Sequence, residues 1–139
     1  MKTRYTSLVD VKKSTMQKSE RLMQKANADL NSATMALEIS YNSLNDVELP
    51  ENGKVSELLA SRSLIQSVRN SISHNKEWIK FAKRQVELAK EQLKLDMIEH
   101  EKFKYLELQE IKEIAKKIKA EEVKALDEVA LMTFARKST

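Results

Sequence analysis

The chain has 139 residues, 33% of them charged, with one glycine, one proline, no cysteine and a formal net charge of +4. One Gly and one Pro cannot supply the turns of a compact mixed fold, since glycine's backbone freedom and proline's missing N–H are what interrupt helices and close loops. The absence of cysteine excludes disulfides and thiolate metal sites and permits a reducing compartment.

The aromatic content of three Phe, three Tyr and one Trp is too small for a wide core. Ala, Leu, Glu, Lys, Gln, Arg and Met dominate, and these residues lose least on entering a helix, so the composition is that of long helices and coiled coils. Charge is polarised along the chain. Residues 1–25 carry seven basic and two acidic side chains, whereas residues 26–58 carry six acidic ones and a single basic one, Lys54. The opening MKTRYTSLVDVKK has no apolar stretch behind it, which argues against a secretory signal. No apolar run approaches the roughly 20 residues needed to cross a bilayer, so the expectation is a cytoplasmic protein without a transmembrane segment.

A first helix is expected over about residues 4–48. Val9, Met16, Met23, Leu30, Leu37 and Leu44 recur at intervals of seven, the spacing that keeps a seam turned toward a partner helix. The companion positions Lys12, Ser19, Ala26, Ala33, Ser40 and Val47 are mostly small, which favours close approach and limits buried area. The helix is expected to stop in DVELPENG, where Pro50 disfavours helical geometry at Leu49 and Asn52-Gly53 supplies a turn, at about 49–54.

A second helix is expected over about 55–136. Its seam repeats at seven through Leu58, Ile65, Ile72, Ile79, Val86 and Leu93, with Val68, Ala82 and Ala89 beside it. Two seams joined by a short turn pack antiparallel, which sets the chain start opposite roughly residue 100. Asn75 is a polar seam residue within SVRNSISHNKEW; it reads as a register-fixing device or as a hinge. Near 96–107 Asp96, His100 and Glu107 look like poor seam residues, and a new stripe of Leu108, Ile111, Ala115, Ile118, Ala125, Val129 and Met132 begins. The expectation is a shift of heptad phase there, with the segment after His100 left without an intramolecular partner. The predicted architecture is therefore all-α: one domain over 1–139, a two-helix antiparallel coiled-coil hairpin whose longer second helix overhangs at the C-terminus.

Few constellations carry chemistry. Asp96, Glu99, His100 and Glu101 share a helix face, but a closed metal site needs ligands from other elements, and a solvated face is the simpler account; neither a metal nor a cofactor is expected. The carboxylate pairs Glu121-Glu122 and Asp127-Glu128 lack a pocket that would perturb a pKa for acid–base work, so no catalytic residue is named. A basic end of Lys2, Arg4, Lys12, Lys13, Lys18, Arg21 and Lys25 suits an acidic protein partner; nucleic acid is disfavoured because no aromatic interleaving or recognised motif accompanies it. Off the seam, Trp78, Phe81, Leu88 and Leu95 form a second apolar row continued by His74. Such rows are either docking surfaces, favoured here, or are covered by self-association or a folded-back C-terminus.

The length, the opening RYTSLVDVKK, the single central break and the closing KALDEVA over residues 124–130 together resemble the FliJ proteins of flagellar type III export, whose injectisome relatives are the YscO proteins. The tail differs in one respect: residues 131–134, LMTF, are more apolar than the arginine-rich ending of many members. The resemblance implies a cytosolic, non-enzymatic component that sits with the export ATPase as a central stalk sits in a rotary ATPase. It also implies contacts with the membrane export gate and with export substrate chaperones. On this reading Leu126, Val129, Met132 and Phe134 supply apolar contact to the ATPase, beside the acidic pair Asp127 and Glu128. Arg4, Lys12 and Lys13 supply complementary charge, and the row of Trp78, Phe81, Leu88 and Leu95 meets the gate or the chaperones. The alternatives are a structural or central-stalk subunit of another assembly, or a basic coiled coil on nucleic acid.

Overall fold

The structure, a computed structural model, describes residues 2–47 and 53–138. It consists of two helices, α1 (Thr6–Asp46) and α2 (Val55–Ser138), packed against each other as a hairpin, with no strand among the described residues. The expected turn residues Leu49, Pro50 and Asn52 lie outside the described residues. The start of α1 is fixed reciprocally: the Tyr5 N–H donates to Thr3 Oγ1 at 3.1 Å, and the Thr3 N–H donates to Thr6 Oγ1 at 2.9 Å. Two N–H groups are thus satisfied by side chains, in the manner of a capping box. Glu57 in the first turn of α2 and Arg136 and Lys137 in its last turn match the sign of the helix dipole.

The chain divides into two compact units, Gln17–Leu95 and Met1–Met16 with Asp96–Thr139. In the first, the seam follows the sequence closely. Ser19, Ala26, Ala33 and Ser40, seven apart on α1, are buried, as are Ile72 and Ala82 on α2. Ala33 is 0% and Ala82 2% exposed, and among the described residues no large side chain is fully buried. Small residues let the helices approach closely, but each buries little apolar area, against about 1.5–3 kcal/mol for a fully buried Leu or Ile. Stability must therefore accumulate along the length of the seam. Asn75 is tied into it: its Nδ2 donates to Ser40 Oγ at 2.6 Å and to the Ala36 carbonyl at 3.2 Å. Ser40 Oγ in turn donates to the same carbonyl at 2.9 Å. This closed set satisfies the polar groups across the two helices and gives the seam a register mark rather than a hinge.

In the second unit His100 is buried, and half-buried residues follow both spacings: Asp96, Phe103, Glu107, Glu110 and Ile114 on the earlier one, and Ile111 on the expected new stripe. Leu108, where a new stripe was expected to begin, is 50% exposed. The start of the chain consequently reaches Glu110, not residue 100: Arg4 Nε donates to Glu110 Oε2 at 3.2 Å, and Lys12 Nζ lies 3.7 Å from Glu99 Oε2. Packing also uses aromatic and aliphatic surface. The Tyr5 and Phe103 rings are 6.5 Å apart, and Lys12 Nζ sits 5.5 Å over the Phe103 ring. A seam can be held by the apolar stems and faces of such residues while their polar ends find partners. Glu107 Oε2 is buried without a hydrogen-bond partner among the described residues.

Candidate partner-docking surfaces

The row predicted on α2 is present and open to solvent. Phe81 is 61%, Leu88 50% and Leu95 58% exposed, with Trp78 less so. In the unit Gln17–Leu95, Phe81, Leu88 and Leu95 form one wall of an open groove of about 610 Å³ that also includes Ser19, Ala26 and Ala89. The other wall is α1, with Leu22, Lys25 and Asp29. Leu22, half exposed, escapes a reading confined to seam positions because it sits beside the seam; its spacing from Lys18, Lys25 and Asp29 is the signal that would have found it. His74, Glu77 and Trp78 line an adjoining hollow that shares Phe81. Along α2 the groove positions Phe81, Gln85, Leu88, Gln92 and Leu95 alternate by four and three, as the positions along one helix face do.

The second surface belongs to the other unit. Every described side chain from 115 to 137 is exposed, and the apolar ones from Ile118 to Phe134 range from 44% to 71% exposed. The expected overhang is therefore real but starts after Ile114, because α1 covers more of α2 than its seam letters imply. At about 100° per residue, Leu126, Val129 and Met132 share an arc of about 120°, while Phe134 points about 140° away from Val129. The four residues thus do not make one face. With Leu131 added, Val129, Leu131, Met132 and Phe134 make the end of α2 apolar on all sides. Asp127 and Glu128 are exposed beside them.

The basic residues expected to meet a partner divide into two kinds. Arg4 and Lys12 are engaged within their own unit, with Glu110 and Glu99, and Arg4 also lies 5.0 Å over the Tyr5 ring. The Glu110 carboxylate, and then Tyr5, raise the guanidinium's pKa above its usual value. Lys13 is exposed and forms no ion pair among the described residues. Phe103, three residues after the buried His100, is the aromatic signal in the sequence that marks this cluster.

Among the described residues no group of three or more His, Asp or Glu can hold a metal ion. Of the four residues Asp96, Glu99, His100 and Glu101, His100 is packed in the seam, Glu99 pairs with Lys12, and Glu101 is exposed beside Lys104. No helix among the described residues is long and apolar enough to cross a membrane. The model of the family described as flagellar FliJ protein matches residues 1–139, the whole chain. No curated protein and no solved structure matches the chain.

Proposed function

The chain belongs to the FliJ family of flagellar proteins, which implies a role in flagellar export, and on that premise we propose that it is a non-enzymatic adaptor that docks by its two open surfaces. The uncovered end of α2 inserts into the export ATPase. The observation that carries this reading is the ring of apolar side chains around one helix, Val129 at 58%, Leu131 and Met132 at 69% and Phe134 at 71% exposed. A helix apolar on every side is stable only where it is enclosed on every side, so its partner is a socket and not a flat surface. Asp127, Glu128 and Lys13 set orientation and encounter rate more than affinity, while Arg4 and Lys12 hold the start of the chain in place. The groove of Leu22, Phe81, Leu88 and Leu95 receives an amphipathic helix of the export gate or of a substrate chaperone. The adaptor acts in the cytoplasm, reaching the membrane through the gate.

The test is stimulation of the cognate export ATPase. Packing extends to Ile114, so a chain ending at Lys117 should melt like the full chain while no longer stimulating. Replacing Val129, Leu131, Met132 and Phe134 together by Ser should abolish stimulation and leave Asp127 and Glu128 unable to rescue it. Full stimulation by either variant excludes the end of α2 as the ATPase contact.

A further inference from the structure

The stretch of α2 from Leu108 to Met132 lies within one unit, and its apolar row is symmetric about residue 120. Leu108 and Met132 stand twelve residues either side of that point, Ile111 and Val129 nine, and Ala115 and Ala125 five. Large residues mirror large ones, and small mirrors small. All are exposed except Ile111, which is half-buried. Repetition at three and four residues is common to any helix face, but this mirror order is not. It is the order a helix needs to pack against a second copy of itself running the opposite way, where residues at equal distances from the centre meet.

Charge reverses across the same point. Residues 112–119 carry Lys112, Lys116, Lys117 and Lys119 against Glu113, a net +3, and residues 121–128 carry Glu121, Glu122, Asp127 and Glu128 against Lys124, a net −3. Among the described residues none of these side chains forms an ion pair; those of the unit are made by Arg4, Lys12 and Lys104. Antiparallel pairing lays the basic run of each copy beside the acidic run of the other, so the potentials are complementary along the contact. Glu122, the one charged residue in the mirrored row, decides the direction. In a parallel pair it would meet its own copy, a like-charge contact, whereas in an antiparallel pair it packs beside Ile118 and Lys119 of the other copy. The contact is about 36 Å long at 1.5 Å per residue, and a helix uncovered over such a length gains little stability from propensity alone.

We propose that residues 108–132 of two copies pair as antiparallel helices centred on residue 120. The same surface is used by both copies, so the contact closes on itself and stops at two chains. It covers Val129 and Met132 and is a resting form that gives way when the end of α2 is enclosed by the ATPase. That role rests on the functional reading above; the pairing rests on this chain's own residues, and its test does not involve the ATPase.

Sedimentation equilibrium of the purified full chain should show the 16.0 kDa of one chain at about 1 µM and twice that at about 200 µM. Ile118→Asp with Val129→Asp changes residues exposed in the single chain, so helical content should match wild type while the mass stays that of one chain. Direction is read by cross-linking, since the chain has no cysteine of its own. Leu108→Cys and Met132→Cys, mixed and oxidised, should give a disulfide between one chain of each kind. Neither variant should cross-link with itself, because its two sulfurs would lie about 36 Å apart. Lys119→Glu and Glu122→Lys should each weaken the dimer about tenfold, two ion pairs being lost per dimer, and the two variants mixed should restore it. A single-chain mass for wild type at about 200 µM overturns the proposal. So does self-cross-linking of either cysteine variant in preference to the mixed pair, a dimer that survives Ile118→Asp with Val129→Asp, or a mass that climbs beyond two chains.

Discussion

Within Gln17–Leu95 the helices meet through alanine and serine, whereas in the unit of Met1–Met16 with Asp96–Thr139 they meet through Lys12, His100, Phe103, Glu107 and Glu110. One seam buries small, neutral side chains; the other packs aromatic and charged ones. A position buried among small side chains has little room for a volume change and no water to solvate a charge. Contacts made by half-buried charged and aromatic groups are lost piecemeal, because each ion pair and ring contact is partly hydrated already. Past Ile114 the described side chains of α2 up to Lys137 are exposed, so the apolar ones among them bury little area.

Substitutions can break this comparison, beginning with the most damaging. Ala82→Asp places a charge at a position 2% exposed, and an unpaired buried charge costs about 3 kcal/mol or more. Melting followed by circular dichroism should drop steeply, while Leu126→Asp, on the uncovered stretch, should stay within about 0.5 kcal/mol of wild type. Equal losses at the two sites would erase the distinction between covered and uncovered helix. Asn75→Ala is next. It removes both cross-helix hydrogen bonds but leaves Ser40 bonded to the Ala36 carbonyl, so the expected loss is about 1–2 kcal/mol. Disulfide trapping between cysteines introduced on the two helices should also reveal shifted registers; a single register in that variant would strip Asn75 of its alignment role.

The smallest effect sharpens the contrast. Lys12→Ala removes the Glu99 ion pair and the contact over Phe103 and should cost about 1 kcal/mol at low salt. Part of that loss should vanish at high salt, where the ion pair is screened but the ring contact persists. Urea melts at two salt concentrations measure it. A loss independent of salt would make Lys12 a packing residue only.

Composition and the heptad count determined the helices and the first seam, since helix propensity and a period near 3.5 are local properties that need no partner to be read. Val9 through Leu44 and Ile65 through Leu93 fall half-buried or buried as their spacing requires. The same letters misplaced the end of the seam. Glu99 and Glu110 are polar in any list of residues and are drawn into the packing only because Lys12 and Arg4 lie across from them, as Tyr5 lies across from Phe103. That juxtaposition joins residues about 90 to 106 positions apart, and no local rule contains it. What an open residue lies beside was likewise decided by tertiary structure. Spacing alone sets Leu30 on the seam and Leu22 off it, but only the lie of the second helix makes Leu22 one wall of a groove with Phe81 and Leu88 on the other, because a groove is made by two helices and neither sequence segment contains it.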